Sequence, residues 1–143
     1  MRNKTKHYLS LCFLLLTTLV FAQAPKYTDA TIAKLKEEVN KKIDKRAKMA
    51  QVMVDKVFSF AELGFQESES SKYLTDILKE NGFKIEYGIS GVPTAWWAVW
   101  GSGKPVIAVG SDLDCIPKAS QRPGVAYHDP ILEGAPGHGE GHN

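Results

Sequence analysis

The chain has 143 residues, of which 43% are hydrophobic and 24% are charged, and its formal net charge is +2. This length suits one domain with a buried core, and the composition excludes a wholly disordered, collagen-like or disulfide-dense chain. The sequence has no basic stripe with interleaved aromatic residues, so its charge does not indicate a nucleic-acid partner.

The first 22 residues have the composition of a secretory signal peptide. Arg2, Lys4 and Lys6 precede an apolar run from Leu9 to Phe21, and small residues follow it. We therefore expect cleavage after Ala22, export to the periplasm or the medium, and no stable membrane insertion afterwards. An uncleaved membrane anchor is the alternative, although the apolar run is short for a transmembrane span.

The mature part, residues 23–143, has a different charge balance. It keeps 15 Lys and Arg residues against 16 Asp and Glu residues, and one cysteine, Cys115. A single cysteine excludes an intrachain disulfide. No base that could activate this thiol is evident nearby in the sequence, so we expect Cys115 to be a small buried residue and not a nucleophile.

Two helices are predicted at the start of the mature chain. Apolar residues recur at helical spacing over residues 28–62, with Thr28 or Asp29 as the N-cap and Gly64 as the end. A second helix is predicted to begin at Ser68 or Ser70. It ends at Asn81-Gly82, which is a strong helix stop.

Three strands are predicted next, over Phe83–Tyr87, Thr94–Trp100 and Pro105–Gly110. The third is a continuous apolar run, which is typical of a central strand that is buried on both faces. Two helices followed by three strands indicate an α/β or α+β fold. The regular pattern stops after Asp114, and we expect residues 115–143 to form a functional or disordered loop.

Two carboxylates follow the third predicted strand directly. Asp112 and Asp114 are two residues apart, so both can face one side of an extended segment. In open α/β sheets ligands gather at the carboxyl ends of strands, where carboxylates can bind a metal, orient a ligand or hold a base. The alternative is that these residues end the strand and cap a turn.

The last seven residues form a second cluster. His138, Glu140 and His142 alternate with glycines, which let the backbone approach closely. Imidazole and carboxylate together suit Zn²⁺, and also Mn²⁺ or Co²⁺. The alternative is a flexible end that is rich in histidine by accident.

Together these motifs resemble the co-catalytic metallopeptidase and amidohydrolase family, and most of all its aminobenzoyl-glutamate utilisation branch. The resemblance runs from about residue 50 to the end, through Glu62–Glu67, Gly103–Val109, Asp114–Pro117, Ser120-Gln121 and His138–Asn143. Glu140 stands where the family usually has cysteine, and this harder ligand shifts the expected metal towards Mn²⁺ or Zn²⁺ with oxygen and nitrogen ligands.

The resemblance implies the N-terminal part of a zinc-peptidase-like α/β catalytic domain that binds Zn or Mn, with two ions in the complete enzyme. Glu140 and His142 would be ligands, and His138 is a weaker candidate. Asp114 would serve catalysis by orienting a ligand or tuning the metal-bound water. Asp112 would contact the metal ligands without binding the metal itself. The reaction would be hydrolysis of an amide bond in an N-acyl amino acid or an aminobenzoyl-glutamate-like substrate.

These 143 residues contain no counterpart of the family's acidic pair, of its later histidine ligands, or of its lid or dimerisation domain. We therefore expect the chain to be part of a longer protein, homodimeric in its full length, and to be inactive alone. The rival hypotheses are an exported, non-enzymatic metal-binding module and a structural export domain with a disordered tail.

Overall fold

The computed structural model of the chain describes residues 27–141, which divide into two compact units after Lys45. The predicted signal peptide, residues 1–22, and the predicted ligand His142 lie outside the described residues. Within residues 27–141 no helix is both long enough and apolar enough to cross a membrane.

The described part of the first unit is an amphipathic helix, α1 (Asp29–Asp44). Thr28 is its N-cap, as predicted: its side-chain oxygen accepts a hydrogen bond from the backbone N–H of Thr31 at 3.2 Å. One side of the helix carries a stripe of exposed apolar residues, which are Ile32, Leu35, Val39 and Ile43.

The single helix predicted over residues 28–62 is two helices in the structure. The second of them, α2, spans Ala47–Phe60. The last turn of α1 carries Lys41 and Lys42, whose charges favour the C-terminal end of a helix. Each of these lysines has another cation four residues further on, and like charges at this spacing destabilise a continuous helix.

Helix α2 ends at Phe60, so the predicted stop at Gly64 is wrong. The chain turns at Ala61, which has φ 50° and ψ 47° in the left-handed region. Glycine usually occupies this position, and alanine there costs about 1 kcal/mol. Because alanine is otherwise the best helix former, the local sequence carries no sign of this stop.

Helix α3 spans Ser68–Glu80 and confirms the second predicted helix at both ends. Asn81 is its C-cap, and Gly82 follows with φ 87°. The N–H of Phe83 then donates to the carbonyl oxygen of Leu78 at 3.1 Å, which closes the last turn.

The first two predicted strands form an antiparallel pair. Strand β1 spans Lys84–Tyr87 and strand β2 spans Trp96–Val99, with Tyr87 opposite Trp96. A short 3₁₀ turn, Ile89–Gly91, lies in the connection. The hydroxyl of Tyr87 is hydrogen-bonded to that of Thr75, which ties this sheet to α3.

The core of the second unit is small and partly polar. Val57 and Cys115 are its buried apolar residues, and the buried residues of α3 are hydroxyl-bearing. Ser71 donates to the carbonyl oxygen of Thr94 at 2.9 Å, and Thr75 donates to the carbonyl oxygen of Ser71 at 2.6 Å. These bonds satisfy polar groups that would otherwise be costly to bury.

The prediction of a third, doubly buried strand over Pro105–Gly110 is wrong. Val106, Ile107 and Val109 are 83%, 85% and 93% exposed, and the segment forms no strand. A strand of this kind needs neighbouring strands and covering helices, and nothing within residues 27–141 covers these side chains. The described fold is a mixture of helices and one small sheet. This agrees with the predicted mixture of α and β structure.

Candidate functional site

The predicted acidic turn and the predicted glycine–histidine cluster lie side by side. Ile116, two residues after Asp114, forms an isolated antiparallel bridge with Gly137 at the start of the cluster. The N–H of Ile116 donates to the oxygen of Gly137 at 3.0 Å, and the N–H of Gly137 donates back at 3.2 Å. The two segments that carry the predicted site residues are therefore held together.

Two glycines of the cluster allow this close approach. A Cβ at Gly137 would lie 2.0 Å from the carbonyl oxygen of Ala119, and a Cβ at Gly139 would lie 2.6 Å from Cδ1 of Ile116. Every other residue type carries a Cβ, so glycine alone fits at Gly137 without movement of the backbone. This confirms the sequence-based interpretation that the glycines serve close backbone contact.

A third segment meets the acidic turn from the end of α2. The N–H of Cys115 donates to the oxygen of Glu62 at 2.7 Å, and Leu63 forms a parallel bridge with Cys115. A Cβ at Gly64 would lie 3.5 Å from Oδ2 of Asp114, so that carboxylate lies beside the glycine. Three of the motifs that carry the family resemblance thus converge around Cys115.

Cys115 stands at this junction and is 2% exposed. Burial, together with the charges of Asp114 and Glu62, raises the pKa of its thiol from 9.0 to about 11. The thiol is therefore protonated at neutral pH and is a poor nucleophile. This agrees with the expected role of a small buried residue.

His138 is anchored to the helix side of the unit. Its Nε2 lies 3.1 Å from the carbonyl oxygen of Val57, and its ring stacks on Phe58 with centroids 6.1 Å apart. A carbonyl oxygen only accepts hydrogen bonds, so Nε2 is the donor, and in the neutral ring Nδ1 then presents a lone pair. Nδ1 is buried and has no hydrogen-bond partner among the described residues.

The other predicted site residues that the structure describes differ in their exposure. Glu140 and Asp112 are exposed, and Asp114 is half-buried. Within residues 27–141 no three His, Cys, Asp or Glu side chains are grouped closely enough to hold a metal ion. The ligand roles of Glu140 and His142 remain predictions. Imidazole and carboxylate are donor types that suit Zn²⁺ or Mn²⁺, and Nδ1 of His138 is a buried nitrogen without a partner among the described residues.

Ser120 and Gln121 stabilise the conformation of the long loop, a role that has no local signal in the sequence. The Ser120 side chain, in a residue only 8% exposed, accepts from the N–H of Leu132 at 3.2 Å. Gln121 donates to the oxygen of Tyr127 at 2.9 Å and accepts from the N–H of Asp129 at 3.1 Å. The loop is thus ordered by side chains, without helix or strand.

Glu62 and Glu67 of the early acidic motif also have structural roles. The two carboxylate oxygens of Glu62 each accept from a backbone N–H at 2.8 Å, one from Glu69 and one from Ser70. Glu67 accepts from the N–H of Phe65 at 2.9 Å and from the hydroxyl of Thr94 at 2.5 Å. An acid shortly before a predicted helix start is the signal that points to such capping.

Comparison with known proteins supports the resemblance that these motifs indicate. The chain is 34% identical over 91 residues to a subunit of p-aminobenzoyl-glutamate hydrolase of Escherichia coli strain K12. The match covers 64% of this chain and 19% of that relative, so the chain spans about a fifth of its length. No family model and no solved structure matches. The resemblance to this branch of the amidohydrolases, over part of the chain, is therefore confirmed.

Proposed function

We propose that this chain is part of a longer metal-dependent hydrolase. The substrate of that protein carries an amide bond to an amino acid, as in an N-acyl amino acid or an aminobenzoyl-glutamate-like compound. The proposal rests chiefly on the bridge between Ile116 and Gly137, which joins the acidic turn to the cluster in a chain similar to part of a hydrolase.

Each residue of the cluster has a proposed part in this reaction. Glu140 and His142 bind the metal, and His138 can add the lone pair of Nδ1. Asp114, close to the bridge, orients a ligand or tunes the metal-bound water, and Asp112 contacts a ligand without binding the metal itself. A divalent Zn or Mn ion, one of two in the complete enzyme, would polarise the amide carbonyl and lower the pKa of water to about 7.

Calorimetric titration of the chain with Zn²⁺ and Mn²⁺ tests the proposed ligands. We expect binding to the wild type, weakened at least about tenfold by either Glu140→Gln or His142→Ala, because each removes a donor atom. His128→Ala is the matched control, since His128 is exposed and lies outside the cluster. Equal affinities of the wild type and both cluster variants would remove the ligand assignment.

A further inference from the structure

Lys118 lies in a turn that is held against the glycine–histidine cluster. Before this turn, the N–H of Ile116 donates to the oxygen of Gly137 at 3.0 Å. After it, the N–H of Ser120 donates to the oxygen of Ala135 at 3.0 Å. Both ends of the turn are thus fixed to the segment that leads into the cluster. The backbone of Lys118 therefore has a defined place beside the candidate site, and its side chain is exposed.

Gly139 shows how closely the cluster approaches this turn. A Cβ at Gly139 would lie 2.6 Å from Cδ1 of Ile116 and 3.5 Å from Cβ of Ala119. Those two residues lie on either side of Lys118, so the turn and Gly139 are neighbours. Glu140, a proposed metal ligand, is the next residue of the cluster. A lysine carries its ammonium on a flexible four-carbon stem, so the charge of Lys118 can reach a molecule that is bound beside Glu140.

The charge of Lys118 stands out from that of its surroundings. It is the only Lys or Arg in the three segments that meet at Cys115, which are residues 61–67, 112–121 and 135–140. The carboxylates of the same segments are those of Glu62, Glu67, Asp112, Asp114 and Glu140. Lys118 forms no ion pair within the described part of the chain. Carboxylates repel an anion, so this ammonium is the side chain of the three segments that can attract a negatively charged molecule.

The backbone of Lys118 adopts a conformation that favours glycine. Its φ is 59°, in the left-handed region that glycine adopts freely and other residues adopt at a cost. Elsewhere in the same loop, glycines take up this region, with φ 79° at Gly124 and 75° at Gly134. Strained residues of this kind cluster at ligand-binding sites. A lysine where glycine would be less strained indicates that its side chain has a role.

We propose that Lys118 binds the substrate carboxylate that lies next to the hydrolysed amide bond. This inference rests on the proposed function, because every N-acyl amino acid carries that carboxylate. The ammonium donates charge-assisted hydrogen bonds to the carboxylate oxygens, and such bonds are about twice as strong as those between neutral groups. Lys118 thus determines specificity: it selects amides of amino acids over amides without a carboxylate, and it takes no part in bond cleavage.

The kinetics of a longer protein that carries this chain test this role. The substrates compared are p-aminobenzoyl-glutamate and its analogue with a carboxamide in place of the carboxylate next to the amide bond. We expect Lys118→Gln to raise KM for p-aminobenzoyl-glutamate about tenfold and to leave kcat within about twofold, because a charged hydrogen bond is lost. Its KM for the analogue should not change. An equal rise in KM for both substrates would overturn the proposal.

Two further variants serve as controls for this substitution. Lys118→Arg keeps the positive charge, so its KM for p-aminobenzoyl-glutamate should stay close to that of the wild type. Lys84→Gln removes an exposed lysine of β1, outside the three segments, and should leave KM unchanged for both substrates. A tenfold rise in KM for p-aminobenzoyl-glutamate in either control would contradict a specific role of the charge at Lys118.

Binding to the same protein in EDTA separates this inference from the proposed function, because binding needs no hydrolysis. Equilibrium dialysis with p-aminobenzoyl-glutamate should give a Kd that Lys118→Gln raises about tenfold and that Lys84→Gln leaves unchanged. If the protein hydrolyses no such amide but this Kd still rises, the proposed function fails and the carboxylate site stands. Hydrolysis with equal KM and Kd values of the wild type and Lys118→Gln would overturn this inference alone. A protein that neither binds nor hydrolyses the compound would overturn both.

Discussion

Gly137 is the most tightly constrained residue of the candidate site, since a Cβ there would lie 2.0 Å from a carbonyl oxygen of Ala119. We expect Gly137→Ala to lower the free energy of unfolding by about 2 kcal/mol, because the backbone must move to admit the methyl group. Urea unfolding followed by tryptophan fluorescence measures this change.

Gly110→Ala is the matched control for this substitution. A Cβ at Gly110 meets nothing within 4 Å, and its φ is not in the left-handed region. We expect its effect to stay within about 0.5 kcal/mol of zero. Similar effects of the two alanine variants would show that the Ile116–Gly137 contact does not depend on glycine.

Cys115 makes the stability of the fold sensitive to alkaline pH. Its thiol has a folded pKa of about 11 against an ordinary value of 9.0, so burial favours the neutral form. The unfolded chain releases this proton first, and stability is therefore present below pH 9 and declines as the pH rises towards 11. Thermal unfolding between these pH values should show the decline.

Cys115→Ala is the comparison for this pH dependence. It removes the titrating thiol while it retains a small apolar side chain. The decline in melting temperature between pH 9 and 11 should be shallower in this variant than in the wild type. Identical slopes would assign the alkaline loss of stability to other groups.

At the scale of secondary-structure elements, Glu62 links the end of α2 to the beginning of α3. Its carboxylate accepts from the N–H groups of Glu69 and Ser70, where the helix dipole favours negative charge. We expect Glu62→Ala to destabilise the fold by about 1–2 kcal/mol, as loss of a helix cap does. Chemical denaturation measures it.

Glu133→Ala provides the control, because Glu133 is an exposed carboxylate in the long loop. Its removal should leave stability unchanged within the error of the measurement. If both alanine variants unfold at the same denaturant concentration, the Glu62 carboxylate does not stabilise α3.

Local signals explain which elements the sequence could predict. Helix α3, with Asn81-Gly82 at its end, and the two strands after it are encoded by neighbouring residues, and the structure confirms them. The stop at Ala61 has no local signal, because alanine favours helix and yet adopts the left-handed conformation here. The predicted burial of Pro105–Gly110 is wrong, because burial depends on parts of a protein that are distant in the sequence.

The sequence predicts only part of the candidate site, because local patterns do not show contacts between residues that are far apart along the chain. Alternating glycines predict close backbone approach, and Gly137 and Gly139 confirm it. The sequence carries no sign that Nε2 of His138 bonds to the oxygen of Val57, because the two residues are far apart along the chain. The capping roles of Glu62 and Glu67 could have been expected from their position just before α3.

At the scale of the whole molecule, residues 27–141 form two units, and the three converging motifs all lie in the second. The hydrolase subunit that this chain resembles is about five times longer than the matched region, and we therefore propose the reaction for a longer protein. A two-metal site needs more donors than Glu140, His142 and His138 supply. This is why we predict that the chain alone does not hydrolyse the substrate.

The most direct test is an assay of p-aminobenzoyl-glutamate hydrolysis by a longer protein that carries this chain, with Zn²⁺ or Mn²⁺ added. We expect metal-dependent release of p-aminobenzoate that EDTA abolishes and that Glu140→Gln lowers at least about 100-fold. The 143-residue chain, assayed in parallel, should release none. Hydrolysis that survives both EDTA and Glu140→Gln, or turnover by the 143-residue chain alone, would contradict the proposed function.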